Sequence, residues 1–422
     1  MNQFSSHNKT LRDLIEHESF NFNNHVVNLD SIDLVLRECL SIEEMREAGS
    51  FFTGQNLATV VIKTLSNAIT FDSIVFDPTC GAGNLLIECS RSLGVEETLS
   101  QTLAKWGKVL WGYDLYDSFI ESTKLRLIIE ALSRGVVKDC TLDDALGMFP
   151  NIIVRDIWAA KKDDLVSVTH AVINPPFTLI KSPNKFYWNA GKINAAGILF
   201  DHFLRILPIN CCFSAILPDV LRSGSRYSKF REFCSLKSYA ETKIIGRFNN
   251  KTDVDVFLLY GRVVEESDQQ IFWYQPFKNS IQLYEKYDVC VGPLVAYRDP
   301  EIGNEYLYIH SKNVPAWETI SKISEKRKFK GRVISSPFIV VKRTSSPNDK
   351  NRAVATIINV KDLVAVENHL IIIKPKSGRL SECKKLLKIL KSNGTNNFLN
   401  ERIRLRHLTV EALKSIPIKI TP

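Results

Sequence analysis

The sequence of 422 residues predicts an α/β domain with a mostly parallel sheet, followed by a basic α+β domain. Between about residues 50 and 262, short apolar runs alternate with amphipathic stretches, which is the pattern of parallel strands joined by helices. Two apolar runs then follow each other closely, as in an antiparallel hairpin at one end of such a sheet. We therefore expect a helical segment over 1–48, an α/β domain over 49–265 and a C-terminal domain over 266–422.

Local patterns predict the elements of the first two segments. Apolar residues spaced three and four apart predict helices in LRDLIEHESF and in SIDLVLRECLSIEEMREAG, the second ending at Gly49. Apolar runs that end in polar or glycine residues predict buried strands in SIVFDPTCGAG, KVLWGYDLYD, NIIVRDIWAA, THAVINPPF and CCFSAILPDV. Amphipathic stretches predict helices at 56–69, 84–93, 118–134 and 195–207. KIIGRF and VDVFLLYGRVV, which flank the turn-like NNKTD, predict the hairpin.

The C-terminal segment has a different texture. Its apolar runs predict strands joined by turns, in QIFWYQPF, RVISSPFIVVKRTS, RAVATIINVKD and VENHLIIIKP. A helix is predicted in RLSECKKLLKILKSNG. Charge is also distributed unevenly: residues 297–422 carry 25 Lys and Arg against 11 Asp and Glu, whereas the chain as a whole has a net charge of +9. This excess indicates either a surface that binds a polyanion or a solvated basic surface, and charge alone favours neither.

Composition excludes several classes of protein. The nine cysteines include no C-x-x-C pair, which is typical of a reducing compartment and argues against a zinc ribbon, so we expect no metal site. The N-terminus is polar and acidic, unlike a signal peptide, and no apolar run approaches the ~18 residues of a membrane helix. We expect a soluble cytoplasmic protein with no membrane partner.

The residues that follow each predicted strand are candidates for a binding site, because ligands of open α/β sheets lie beyond the carboxyl ends of the strands. In FDPTCGAGN, Gly81 and Gly83 allow a sharp turn and a close approach of the backbone to a ligand. Leu86 stands where a dinucleotide fingerprint needs its third glycine, and no Gly-Lys-Ser/Thr of a P-loop follows. The glycine pair alone is therefore weak evidence for a nucleotide.

Three aspartates give this turn more weight. Asp77 precedes the glycines, Asp114 ends the second predicted strand and Asp156 ends the third. A carboxylate at the second strand end can accept both hydroxyls of a ribose, and Asp156 could accept from the exocyclic amine of adenine. A helix cap is the commoner role of any one such acid, but three at successive strand ends favour a ligand site.

The tetrapeptide Asn174-Pro175-Pro176-Phe177 directly follows the fourth predicted strand. Two prolines fix two φ angles and remove two N–H donors, so the carbonyl groups there are rigid and can point outward. The Asn174 side-chain oxygen and the Pro175 carbonyl could together accept both hydrogens of a substrate amine and leave its lone pair free to attack. Phe177 could stack on the planar group that carries this amine. The alternative is a tight loop with an asparagine cap and a core phenylalanine.

These motifs resemble those of N6-adenine DNA methyltransferases in which the cofactor motifs precede the catalytic motif and a target-recognition domain comes last. The D-P-x-C-G-x-G motif of that family matches Asp77 to Gly83, and N-P-P-[YF] matches Asn174 to Phe177. GSFFTGQNLATVVI is similar to the G-x-[FY]-[FY]-T-P segment, with Gly54 in place of proline. GRFNNKTDVDVFLLYGR resembles the hairpin whose aromatic residue helps to hold a flipped adenine. The resemblance covers residues 48–262.

The resemblance implies a class I, Rossmann-like methyltransferase fold that uses S-adenosyl-L-methionine to methylate N6 of an adenine flipped out of double-stranded DNA. It also implies a cytoplasmic prokaryotic protein of a restriction-modification or related system, with a restriction endonuclease or specificity subunit as a conceivable partner. By the same resemblance residues 266–422 would recognise the DNA target.

The resemblance also implies which residues form the site. The implied cofactor residues are Thr53, Asp77, Cys80, Gly81, Gly83, Asp114, Leu115, Asp156 and Ile157, with Leu115 and Ile157 flanking the adenine ring. The implied catalytic residues are Asn174, Pro175, Pro176 and Phe177, and Phe177 and Phe248 would stack on the target base, with Phe257 as a competitor for the latter role.

Other functions remain compatible with the same residues. N-P-P-[YF] also serves methyltransferases that act on RNA or on a protein glutamine, and those proteins seldom carry a long basic segment after the catalytic domain. A catalytically silent DNA-binding subunit is a third reading, against which the complete cofactor and catalytic motifs argue. Pro218-Asp219 with the later Glu241-Thr242-Lys243 imitates a nuclease metal site, but a pattern this loose arises often and the first pair ends a predicted strand.

Overall fold

The computed structural model describes residues 2–17, 27–32, 34–35, 53–249, 252–274 and 280–418. The chain divides into two compact units, one of residues 1–222 with 226–273 and one of residues 223–225 with 274–422. Most of the second predicted N-terminal helix, including its end at Gly49, lies outside the described residues. In the described part of the chain, no helix is long and apolar enough to cross a membrane.

The first unit is built on a seven-stranded sheet with the strand order β3-β2-β1-β4-β7-β9-β8. Strands β1 to β4 and β7 are parallel, and β9 and β8 extend the sheet as an antiparallel hairpin. The strands are β1 (Val75–Asp77), β2 (Leu110–Asp114), β3 (Ile152–Val154), β4 (His170–Ile173), β5 (Leu179–Lys181), β6 (Lys192–Asn194), β7 (Cys212–Pro218), β8 (Ser238–Asn249) and β9 (Thr252–Val263). The predicted α/β fold with a mostly parallel sheet and a hairpin at one end is confirmed. The short β5 and β6 pair with each other outside the main sheet.

Helices cover both faces of this sheet. Neighbouring strand residues alternate between two cores, as Val75 and Phe76 of β1 show, because successive side chains of a strand point to opposite faces. The first core also contains apolar residues of α2 to α6, and the second contains those of α8 and α10. The helices are α1 (Asn2–Glu16), α2 (Gln55–Lys63), α3 (Asn84–Ser90), α4 (Leu99–Val109), α5 (Asp117–Ser133), α6 (Leu142–Gly147), α7 (Lys185–Trp188), α8 (Ala195–Ile206), α9 (Asp219–Ser223) and α10 (Ser228–Lys237).

The second unit is a separate α+β structure. A five-stranded sheet has the order β11-β18-β15-β16-β13, a three-stranded sheet has the order β14-β12-β17, and β10 pairs with β19. The strands are β10 (Ile281–Gln282), β11 (Tyr287–Val291), β12 (Asn304–Ile309), β13 (Thr319–Ile320), β14 (Lys326–Phe329), β15 (Phe338–Lys342), β16 (Ala355–Ile358), β17 (Val364–Val366), β18 (Leu370–Pro375) and β19 (Pro417–Ile418). The helices are α11 (Leu283–Lys286), α12 (Leu380–Leu390), α13 (Asn393–Arg402) and α14 (Val410–Lys414).

The predicted strand in QIFWYQPF is wrong over residues 270–274, which form no strand. Ile271 is buried in the core of the first unit, and its amide donates to Ser235 Oγ at 3.3 Å instead of joining a sheet. The carbonyl of Trp273 accepts from Arg222 Nη1 at 3.1 Å. Ile271 therefore packs in the core of the first unit and Trp273 packs against it, whereas Phe272 is exposed, and residues 275–279 lie outside the described part. The helix predicted at 56–69 ends earlier, at Lys63.

Candidate active site

The glycine turn after β1 forms the floor of a pocket at the carboxyl end of the parallel strands. Gly81 and Gly83 have φ angles of 54° and 82°, in the left-handed region that favours glycine. A Cβ on Gly83 would also lie 2.6 Å from Cγ2 of Thr123, so the turn has no room for a larger residue. The amide of Cys80 donates to the carbonyl of Tyr113 at 2.9 Å, which ties the turn to β2.

Two carboxylates at adjacent strand ends face this turn, and both have raised pKa values. Burial raises the pKa of Asp77 to about 8, although the Thr79 amide donates to its Oδ1 at 3.1 Å and favours the charged form. The Asp114 carboxylate raises the pKa of Asp77 further. Burial likewise raises the pKa of Asp114 to about 6, opposed by the amides of Tyr116 and Gly81, which each donate to it at 3.0 Å.

The third aspartate lies at the pocket edge with apolar neighbours. Asp156 follows β3, is exposed, and accepts from the Trp158 amide at 3.0 Å, capping the short 3-10 helix Ile157–Ala159. Leu115 and Trp158 are 59% and 48% exposed, whereas Ile157 is buried. Large apolar side chains left open beside a carboxylate are suited to a planar ring that carries an amine.

The predicted catalytic asparagine lies at the end of β4 and is oriented by a second loop. Its Nδ2 donates to Oγ1 of Thr53 at 2.9 Å, across 121 residues of sequence. Its backbone carbonyl accepts from Oγ1 of Thr79 at 3.2 Å, which connects it to the glycine turn. Because the amide nitrogen of Asn174 is held by Thr53, the position of the amide oxygen is also fixed.

The two phenylalanines predicted to hold a target base contact each other. The ring centroids of Phe177 and Phe248 lie 5.5 Å apart with an interplanar angle of 80°, an edge-to-face contact. Phe248 is 8% exposed and lies in the core, and Phe257, the competitor, is fully buried. Phe177 is half-buried, so of the three rings it is the one with most access to a ligand.

The pocket is a cavity of about 250 Å³ that brings together most of the predicted site residues. Those that line it are Thr53, Asp77, Cys80, Gly81, Asp114, Leu115, Asp156, Ile157, Asn174 and Pro176; Gly83, Pro175, Phe177 and Phe248 do not. The remaining lining residues, which the sequence did not reveal as site residues, are Pro78, Thr79, Asn84, Leu85, Tyr116, Phe119, Arg155, Trp158 and Leu199. Trp158 could have been suspected, because it follows a strand-end acid directly.

The residues of this pocket suit a nucleoside with an amine-bearing base. A carboxylate at the second strand end, a glycine turn without side chains and apolar walls are the parts that such a ligand needs. In the described part of the chain, no three His, Cys, Asp or Glu side chains are gathered so that they could hold a metal ion. The carboxylate, the glycine turn and the apolar walls fit S-adenosylmethionine, the cofactor that the resemblance implies.

A seven-stranded sheet with one antiparallel hairpin and this pocket defines a class I methyltransferase fold. Residues 34–190 match the family described as N-6 DNA Methylase. No curated protein matches the sequence. Among solved structures, the type IIL restriction-modification enzyme MmeI in complex with DNA is similar with a TM-score of 0.54 and 11% identity, over 91% of this chain and 70% of that chain.

Two further structures are related at lower similarity. The type IIG restriction endonuclease BpuSI has a TM-score of 0.43 and 14% identity, and this chain covers 60% of its length with 92% of its own. The M protein of the type I restriction enzyme EcoKI has a TM-score of 0.38 and 14% identity, over 62% of this chain and 55% of that chain. The chain thus spans little more than half of the length of these two proteins.

Proposed function

We propose that this protein transfers a methyl group from S-adenosylmethionine to N6 of an adenine flipped out of duplex DNA, in a restriction-modification or related system. The observation that carries the proposal is the position of Asn174: it lines the same cavity as the three strand-end aspartates, and its amide nitrogen is bonded to Thr53. The family of residues 34–190 supports the choice of an adenine in DNA.

One half of the pocket binds the cofactor, which supplies a methyl group on a positively charged sulfur. Asp114 in its ionised form would accept from the two ribose hydroxyls of the cofactor, and Asp156 would accept from its adenine amine. Leu115 and Ile157 would enclose the adenine ring of the cofactor. The glycine turn lets the backbone approach the ligand closely.

The residues that follow β4, of which Asn174 lines the pocket, orient the substrate amine. The Oδ1 of Asn174, which has two lone pairs, and the Pro175 carbonyl accept the two N6 hydrogens, which directs the nitrogen lone pair at the methyl group. When bound, the cofactor would supply the methyl group and leave as a thioether, and the displaced N6 proton would pass to solvent. Phe177 stacks on the extruded base, and Phe248 holds Phe177 by its edge-to-face contact.

The second unit would recognise the DNA target. Its excess of Lys and Arg suits phosphate contacts, which position a duplex, whereas base contacts in the grooves would set the sequence. MmeI, whose fold this chain shares, is described as a restriction-modification enzyme bound to DNA, which supports the same assignment. A separate endonuclease or specificity subunit would be a partner of the same system.

The test is transfer of a labelled methyl group from the cofactor to duplex DNA of mixed sequence. We expect label on N6 of adenine with the wild-type protein and at least a 100-fold slower transfer with Asn174→Ala, because the oriented acceptors are lost. Asn67→Ala is the matched control, since Asn67 is an exposed asparagine near the amino end of β4 and away from the pocket. Equal labelling by wild type and Asn174→Ala, or label in cytosine, would contradict the proposal.

The same assay separates the alternative substrates and the silent-subunit reading. RNA and glutamine-containing peptides are offered in parallel with the duplex, at equal concentration of reactive amine. Label confined to RNA or to glutamine would replace the proposed substrate while keeping the chemistry of Asn174. Tight binding of duplex without any transfer would indicate a catalytically silent DNA-binding subunit.

A further inference from the structure

The helix that follows Thr53 is capped by a residue from a distant part of the chain. Gly54 occupies the cap position of α2 without a side chain of its own, and the amide of Gln55 donates to Oδ1 of Asp30 at 3.0 Å. A Cβ on Gly54 would lie only 2.5 Å from that same oxygen, so glycine is what makes room for the carboxylate. The Asp30 carboxylate therefore does the work of an N-cap side chain, from 25 residues upstream.

A second side chain, that of Asn84, binds the loop formed by Thr53 and Gly54 on the amino-terminal side of Gly54. Asn84, the first residue of α3, is buried, and its Nδ2 donates to the carbonyl of Thr53 at 2.7 Å and to that of Leu29 at 2.8 Å. One amide group thus joins the Thr53 loop to the segment that carries Asp30. Both backbone carbonyls would be left without this donor if Asn84 were removed.

Asn84 is fixed in turn by a buried cation under the glycine turn. Arg126 of α5 donates from Nη1 to Oδ1 of Asn84 at 2.7 Å and also to the carbonyl of Ala82. The guanidinium is buried, and this burial lowers the pKa of Arg126 to about 9. A buried cation costs free energy, so its position is explained by the acceptors that it serves in the glycine turn.

We propose that Asp30 and Asn84 are positioning residues that hold Thr53 in place from two sides. Thr53 then sets the orientation of the Asn174 amide, because Nδ2 of Asn174 donates to Oγ1 of Thr53 at 2.9 Å. The segment before the glycine turn is therefore part of the device that aligns the substrate amine, although it does not touch the substrate. This inference rests on the proposed function for its effect on catalysis, whereas the fixing of the loop can be measured without it.

The first experiment compares Asp30→Ala with Asp30→Asn in the full chain. Asp30 is exposed, so neither change disturbs the core, and asparagine keeps an oxygen that can cap Gln55. Amide hydrogen exchange over residues 53–58 should be about 10-fold faster in Asp30→Ala and close to wild type in Asp30→Asn. The kcat for DNA methylation should fall about 5-fold in Asp30→Ala, with the KM for DNA unchanged.

The second experiment tests the steric part of the arrangement by a double-mutant cycle. The φ of Gly54 is −68°, which proline adopts without strain. In the wild-type background Gly54→Pro pushes the Asp30 carboxylate away, so we expect lower kcat and faster exchange. In the Asp30→Ala background the clash is gone and proline stiffens the loop, so the same change should raise kcat towards the wild-type value.

Distinct results overturn this inference and the proposed function. Unchanged exchange in Asp30→Ala, or an effect of Gly54→Pro that is the same in both backgrounds, contradicts the positioning role. A purely structural role would lower the melting temperature of Asp30→Ala and leave the kcat of the folded fraction unaltered, which would also contradict it. Absence of methyl transfer by the wild-type protein would instead contradict the proposed function, and the exchange measurements would still decide whether Asp30 fixes the loop.

Discussion

The two units of the chain place their charged groups differently. In the first unit, Asp77 and Asp114 lie in a concave pocket, and burial raises the pKa of both carboxyl groups. In the second unit, hydrogen bonds from the amide of Val295 and from His310 lower the pKa values of Asp299 and Glu325, which lie near the surface. Ionisation of Asp77 and Asp114 costs free energy because these carboxyl groups are buried, whereas the two acids of the second unit are stabilised as anions.

Under the proposed function, this difference would correspond to two modes of recognition. A buried carboxylate with a raised pKa is suited to a ligand that offsets its desolvation, so one substitution should weaken binding strongly. A surface with many exposed cations meets a polyanion through contacts that are individually weak, so the effects of substitution should be spread and nearly additive. Even the buried Arg352 of the second unit is structural, since Ser345, Asn400 and the carbonyl of Leu405 accept from its guanidinium.

The largest effect is expected from Asp114→Asn in the first unit. Losing the charge should weaken binding of S-adenosylhomocysteine about 100-fold at pH 8, because two charge-assisted hydrogen bonds to the ribose are weakened. Since the pKa of Asp114 is about 6, the affinity of the wild type should rise from pH 5 to pH 7 as the carboxylate ionises, and the variant should lose this part of the rise. Isothermal titration calorimetry at several pH values measures both effects.

The control for this titration is Asp117→Asn, which removes an exposed carboxylate in the first turn of α5, three residues further along the chain. It should bind the ligand as the wild type does. If the two variants bind equally, the raised pKa of Asp114 has no connection with the ligand, and the contrast between the units disappears.

Much of this pocket could be predicted from the sequence, because strand ends have a local pattern. An apolar run followed by an acid or a glycine marks the edge of a parallel sheet, and five such runs form β1 to β4 and β7 as expected. The prediction that Asp77, Asp114 and Asn174 share one edge follows from strand direction alone. In the second unit the same approach found β15, β16 and β18 but gave no site, since base and phosphate contacts have no fixed spacing.

The parts that the sequence did not reveal depend on contacts between distant residues. Asp30 caps Gln55 across 25 residues and Asn84 holds Thr53 across 31, and neither bond leaves a periodic signal. The burial of Phe248 has a different origin. The pairing of β8 with β9 shifts register between Ile244 and Gly246, and such a bulge changes which face the following side chains occupy.

The next largest effect is expected from three cations of the second unit. Lys328, Lys330 and Arg332 are exposed and recur at every second residue from the edge strand β14 onward. Replacing all three by alanine should reduce the slope of log K against log salt for duplex binding by about 3, because each phosphate contact contributes about 0.9. Fluorescence anisotropy with a labelled duplex over a salt series measures this slope.

A matched variant tests whether position or net charge matters in that experiment. Lys384, Lys385 and Lys388 are exposed on α12, and their replacement by alanine removes the same three charges. We expect a smaller change of slope from this variant than from the one at β14. Equal slopes for both variants would mean that duplex binding depends on the net charge of the second unit and not on a defined surface. The second unit would then differ even more from the pocket of the first unit, where single residues are expected to decide binding.

The smallest effect is a change in thermal stability with pH, measured without ligand. Because the folded protein holds a proton on Asp77 up to a pH of about 8, this group stabilises the fold fully below pH 4, and the contribution is lost as the pH rises through 8. Asparagine resembles the protonated acid at every pH and can still accept from the Thr79 amide. Asp77→Asn should therefore match the wild type below pH 4, become more stable than the wild type as the pH rises from 4 to 8, and melt higher by about 4 °C or more at pH 9, in differential scanning fluorimetry. The control is Asp72→Asn, which changes an exposed acid close to β1 and should follow the wild-type melting curve at every pH.

A different outcome would remove the contrast between the units. If Asp77→Asn also follows the wild-type curve, the pocket holds Asp77 without the desolvation cost that its burial implies. The raised pKa of Asp77 would then no longer distinguish the first unit from the second.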